Sequence, residues 1–330
     1  MKPTRRQVIA AGAATAASLL APPLTRRLLA APEREIQARP ALVVLFLRGG
    51  QDALNTVVPY AEGRYRDLRP NIQIPGPGQP GGALDLDGTL GFHPALGGLK
   101  ALYDEGILAP IVCCGSPHPT RSHFDAQDFM DAGAPGDRTQ SSGWLSRFLQ
   151  ATRTPGGDMP LRALAMQGQL PRSLRGDYPV LAVPDGMVRA RGRRDEPDVL
   201  SLFDSVYEPA AGGETVDDLV SSGRTTIETL RQLGEIVGRP ALGEEVVYPA
   251  AAGRLGQQLK RTARVLKSGQ GLEIVGIDWN GWDHHIEEGG PQATDTLSRM
   301  LATLDAAVSA FFRDLRTMRS TVTMLVMTEF

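Results

Sequence analysis

Beyond the first forty residues, short continuous apolar runs alternate with longer stretches of helical period. Ala41–Leu47 (ALVVLFL) is apolar throughout, rich in Val and Leu, and bounded by Pro40 and Gly49-Gly50. A run without polar alternation predicts a strand buried on both faces, as in the interior of an α/β sheet. Ile107–Cys114 predicts a second buried strand, and Leu161–Met166, Val180–Val183, Leu272–Ile277 and Val322–Thr328 predict others. Between them, His93–Glu105, Ser122–Ala132, Arg194–Asp204, Val216–Val237, Ala251–Lys267 and Pro291–Arg316 read as helices, with Ser122 or Thr120 starting the second. Pro70–Gly82, dense in Gly and Pro, reads as a loop. Strands alternating with helices predict a three-layer α/β/α fold with a mostly parallel central sheet, in one domain over 32–330.

The first 31 residues have a different character. Arg5-Arg6 stands just ahead of the apolar run Val8–Ala21, which is Ala-rich and interrupted by Gly12, Thr15 and Ser18. That run is too short and too weakly apolar for a membrane span, which needs roughly 20 apolar residues. Its order of basic, apolar and then small residues is that of a twin-arginine signal peptide, with cleavage expected near Leu29-Ala30-Ala31. The expected destination is the periplasm or the exterior, and the expected partner is the twin-arginine translocase.

Charge narrows the function. The leader holds five basic residues (Lys2, Arg5, Arg6, Arg26, Arg27) and no acidic ones; removing them leaves 30 Lys and Arg against 37 Asp and Glu, a charge near −7. An acidic chain of this kind lacks the basic stripe of a nucleic-acid binder. No later run is long enough to cross a membrane. The two cysteines, Cys113 and Cys114, are neighbours in an expected strand; their side chains would point to opposite faces, so buried free thiols are expected rather than a disulfide.

Ligands in such sheets gather at the carboxyl ends of strands. Four polar clusters fall there: Arg48–Asp52, His118–His123, Asp278–His285 and Thr328-Glu329. Four of the five histidines lie in two of these clusters, and scarce imidazoles concentrated with carboxylates suit an oxygen- and nitrogen-ligated metal site. Asp52, taken alone, is better read as a turn or helix cap. Ser122 is either a helix N-cap, worth about 1 kcal/mol, or a hydroxyl placed where a helix N-terminus favours an anion. His93 suits packing or ligation equally, and His118 reads as structural. Asp283-His284-His285 is the most specific signal, because such groups are costly to desolvate without a cation or each other.

The blocks LRGGQDALNTVVPY, RSHFDAQDFM, GWLSRFL, GWDHH and VMTEF resemble, in that order, those of an exported bacterial family known as domain of unknown function 1501. The resemblance runs from about Ala41 to Phe330. It implies a remote kinship with the alkaline phosphatase and sulfatase superfamily, and hence one or more divalent ions (Zn, Mg, Mn or Ca). It places Asp52, Asp283, His285 and Glu329 as metal ligands and Ser122 as nucleophile, with Arg121 and His123 binding substrate. His284 stands where the family usually has Thr, leaving open which imidazole binds metal. No Cys/Ser-x-Pro-x-Arg stretch accompanies Cys113, Cys114 or Ser116, which excludes formylglycine chemistry. The family continues past TEF into a GTDHG-like stretch, so the chain is expected to be truncated at its C-terminus. Two functions are therefore expected: a metal-dependent hydrolase of phosphate or sulfate esters, or a non-catalytic exported binding or assembly protein. Relatives are often encoded beside another exported family, domain of unknown function 1800, which is a candidate partner.

Overall fold

The computed structural model describes residues 40–153, 161–185, 214–238 and 246–330. The signal segment with Arg5 and Arg6, and the helix expected over Arg194–Asp204, lie outside the described residues.

The first apolar run forms strand β1, Ala41–Arg48. A helical turn α1 (Ala53–Thr56), a two-residue strand β2 (Val57–Val58) and helix α2 (Gly63–Leu68) follow. Strands β3 (Leu84–Asp85) and β4 (Gly91–Phe92) join β2 in a small antiparallel sheet of order β2-β4-β3. Helices α3 (Gly97–Asp104), α4 (His123–Ala132) and α5 (Trp144–Ala151) come next. Then follow β5 (Ala163–Ala165), β6 (Leu181–Ala182), α6 (Glu214–Gly238), α7 (Gly253–Lys267), β7 (Ile274–Asn280), α8 (Thr296–Asp314) and β8 (Val322–Met327). The main sheet has the order β6-β5-β7-β1-β8, and its pairings are parallel.

Side-chain alternation along the strands builds the layers. Val43, Leu45 and Leu47 of β1 pack with Leu164, Val275 and Ile277 against α3, α7 and α8, in a core that includes Leu255, Leu259, Leu301, Leu304 and Phe311. Val44 points the other way and joins Ala163, Ala165 and Ile274 against Leu145 and Leu149 of α5. Helices thus cover both faces of a mostly parallel sheet, giving the expected three-layer α/β/α fold. No described helix is long and apolar enough to cross a membrane.

One expected strand is absent. Ile107–Cys114 carries no strand, and Ile111 and Val112 are exposed. Pro110 has no N–H to give to a ladder, and β8 stands at the sheet edge with β1 as its partner in the sheet. The cysteines are free but exposed rather than buried, and Cys113 has a left-handed backbone (φ 55°) that no regular strand contains. Helix α5 and the small antiparallel sheet escaped the sequence pattern because their elements are too short to display a period.

Candidate metal centre at the strand ends

Parallel pairing puts the carboxyl ends of β7, β1 and β8 side by side: Arg48 lies opposite Asn280, and Phe46 opposite Met327. The loop after β1 is held in two directions. Its Gly49 amide donates to Glu329 Oε1 (2.8 Å), and its Gln51 amide donates to Thr328 Oγ1 (3.0 Å). Across the other gap, the Trp282 amide donates to the Arg48 carbonyl (3.2 Å). Trp282 is fully buried, edge-on to Trp279 at 4.9 Å, so the residues after it emerge from an anchored point.

Asp283 and His285 project from that anchor toward His123, the first residue of α4. His285 Nε2 lies 2.8 Å from Asp283 Oδ1, and His123 Nε2 lies 3.5 Å from the same oxygen. One ligand atom from each of the three lies within 4.8 Å of the others. His285 and Asp283 are exposed and His123 is half-buried, so the cluster opens to solvent. Two imidazoles and one carboxylate with an open side match the three-ligand pattern of catalytic zinc sites.

The structure sets His123, expected at the substrate, within the three-residue group, and Glu329, expected as a metal ligand, against His123. Glu329 is buried, and its Oε1 accepts from Gly49 and from Gln127 Nε2 (2.9 Å) and lies 2.9 Å from His123 Nδ1. Burial alone would raise its pKa, but the bonds from Gln127 and His123 outweigh this and hold it below the usual carboxylate value.

Asp52 is brought to a neighbouring position. It caps α1, with Oδ1 accepting from the amides of Leu54 (3.1 Å) and Asn55 (3.2 Å), while Oδ2 pairs with Arg69. It is not part of the three-residue group found among the described residues. Ser122 caps α4, accepting weakly from the Asp125 amide (3.4 Å), and both Ser122 and Arg121 are exposed.

The remaining histidines divide cleanly. His284 turns away from its neighbours: Nδ1 lies 3.4 Å from Glu288 Oε1, and Nε2 is buried without a partner. Burial, then Asp52, raises the Glu288 pKa. His93 is completely buried; its Nδ1 accepts from the Ala95 amide (3.1 Å), and Nε2 meets Ser298 Oγ (3.3 Å) and the Gly290 carbonyl (3.4 Å). Packing is thus its role. His118 packs edge-on to Phe129 at 4.7 Å and accepts from the Thr120 amide, as a structural residue does.

The ends of β1 and β7 and helix α4 also share a charged network that the sequence pattern does not reveal. Arg48 Nη2 bridges Asp131 (3.0 Å) and Asp278 (2.8 Å), and Gln167 Nε2 donates to Asp278 Oδ2 (2.9 Å). Burial raises the Asp131 pKa, although Arg48 opposes it. For Arg48 itself burial works downward, and the two carboxylates outweigh it and raise its pKa.

Residues 113–330 match the family described as "Protein of unknown function (DUF1501)", and the chain belongs to that family. Neither the curated proteins nor the solved structures compared with it include a match.

Proposed function

We propose that this protein is an exported, divalent-metal-dependent hydrolase of phosphate or sulfate esters. The observation that carries the reading is the convergence of His123, Asp283 and His285 at the carboxyl end of a parallel sheet. These three side chains would hold the ion; once bound, it would supply Lewis-acid polarisation of the ester oxygen. A nitrogen-rich donor set of this kind suits Zn or Mn better than Mg or Ca.

The chain's own residues account for binding and attack. The α4 N-terminus carries the partial positive charge of a helix start, which favours an anionic phosphate or sulfate group. The exposed Arg121 adds a full charge beside it. Ser122 accepts rather than donates at its cap, so its O–H remains available toward the ester. In this reading Ser122 Oγ attacks phosphorus or sulfur and the ester oxygen leaves as the alcohol. Water then releases the inorganic anion and restores the hydroxyl. Asp52 supports the site through the loop after β1 rather than by ligation. The Arg5-Arg6 leader fits the same reading, since twin-arginine export carries folded, metal-loaded cargo.

The test is hydrolysis of 4-nitrophenyl phosphate and 4-nitrophenyl sulfate by protein loaded with Zn²⁺ or Mn²⁺. Chelator and His285→Ala should each remove at least ~100-fold of the rate, and Ser122→Ala should remove the nucleophilic step. Stoichiometric metal binding with no ester hydrolysis by either loaded form would favour a binding protein on the same scaffold. For export, replacing Arg5 and Arg6 by Lys should strand the precursor in the cytoplasm; continued translocation would rule out the twin-arginine route.

A further inference from the structure

Glu329 is the most enclosed carboxylate at the strand ends, with no exposed side-chain surface, and the hydrolase reading gives it no chemical step. Its Oε1 receives two N–H groups, from Gly49 and from Gln127, and lies 2.9 Å from His123 Nδ1. Two N–H donors aimed at Oε1 mark it as an unprotonated carboxylate oxygen, so toward Nδ1 it acts as an acceptor in a third, shared contact. Nδ1 must then carry the hydrogen, because two facing lone pairs would repel. A neutral imidazole has only one N–H, which leaves Nε2 bare. That bare nitrogen faces Asp283 Oδ1 at 3.5 Å, beyond ordinary hydrogen-bond reach, on the side where His285 converges.

We infer that Glu329 is a positioning residue rather than a metal ligand: it fixes His123 as the Nδ1–H tautomer and presents Nε2 as a lone pair to the position shared with Asp283 and His285. The inference rests on the metal-dependent reading above. A carboxylate holding the far nitrogen of a ligand imidazole is a recurring device of metal sites. It sets ring orientation, raises ligand basicity, and its removal typically lowers metal affinity about 10–100-fold. Here one carboxylate has a second task. The Gly49 amide it accepts belongs to a residue whose backbone abuts Asp283, where an added Cβ would lie 2.3 Å from the Asp283 nitrogen. Glu329 therefore ties the orientation of one ligand to the loop that supports another.

The test has two readouts, both on the full chain in a Cys113→Ser, Cys114→Ser background so that the exposed thiols do not compete for metal. The first is the ¹⁵N spectrum of histidine-labelled, metal-free protein above pH 7.5, which reports the tautomer without any metal. His123 should show N–H at Nδ1 and a pyridine-type Nε2. The second is Zn²⁺ affinity by calorimetry. Glu329→Gln keeps an oxygen acceptor toward Nδ1 and should keep the tautomer, while loss of the charge weakens Zn²⁺ binding about tenfold. Glu329→Leu removes the acceptor and should let the Nε2–H form appear; if that variant fails to fold, the wild-type spectrum and Glu329→Gln still decide. An Nε2–H tautomer in the wild type, or Zn²⁺ binding by Glu329→Gln within twofold of wild type, overturns the positioning role alone. A wild type with the expected tautomer and no Zn²⁺ binding overturns the metal centre itself, and with it the purpose of the positioning.

Discussion

Gly49 and Asp283 meet backbone to backbone: a Cβ on Gly49 would stand 2.3 Å from the Asp283 amide nitrogen and 2.8 Å from the Trp282 carbonyl carbon. Gly49 also has φ +124°, a conformation L side chains rarely adopt. Gly49→Ala therefore combines backbone strain with a clash that rigid neighbours cannot relieve. It should cost at least about 2 kcal/mol in urea denaturation and weaken Zn²⁺ binding as Asp283 is displaced. A variant as stable as wild type would show that the two loops are not held in this contact.

The Arg48 network predicts a larger loss. Arg48 stands between Asp131 and Asp278, with both carboxylates and the guanidinium mostly shielded from water. Arg48→Met leaves two carboxylates facing each other without a cation. Breaking a buried pair from one side costs about 3–5 kcal/mol. Equilibrium unfolding should show that loss, and Asp131→Asn in the same background should recover part of it. Recovery is expected because it removes one of the two stranded charges.

His93 gives the chain an acid-side sensitivity. Burial, opposed by the Gly290 carbonyl, Asp295 and Asp52, lowers its pKa from the ordinary 6.5. The unfolded chain therefore takes up a proton as the pH drops below about 6.5, while the folded one resists until a lower pH. By linkage, this contribution to stability is complete above the unfolded pKa and declines as the pH falls from there toward the depressed folded value. Thermal unfolding midpoints measured between pH 8 and 5 should fall less steeply for His93→Gln than for wild type. Parallel curves would mean that His93 does not titrate differently on folding.

What was legible follows from the range of the interaction that fixes each feature. Ala41–Leu47 reads as a buried strand because apolarity at every position leaves no face for water. Ser122 reads as a helix start because capping is local. Ile107–Cys114 is also apolar throughout, yet apolarity states only that burial would be favourable, not which strand is present to pair with it or that Pro110 could join a ladder. His123 and Glu329 are 206 positions apart, and Arg48 meets Asp131 across 83 positions and Asp278 across a still longer stretch of chain. Only the folded sheet brings such residues together, so the sequence named the members of the site more readily than their roles. Asp52 shows this most clearly: its local reading as a cap holds, with Arg69 as an additional partner.

His123, Asp283 and His285 are expected to hold a divalent ion. Zn²⁺ stoichiometry of the purified, folded chain, measured by elemental analysis after dialysis, tests this directly. The ion should be present at about one per chain in wild type and be lost in Asp283→Ala with His285→Ala and in His123→Ala, with each variant still folded by circular dichroism. A wild type without bound metal, or a His123→Ala variant that retains a full equivalent, would contradict it.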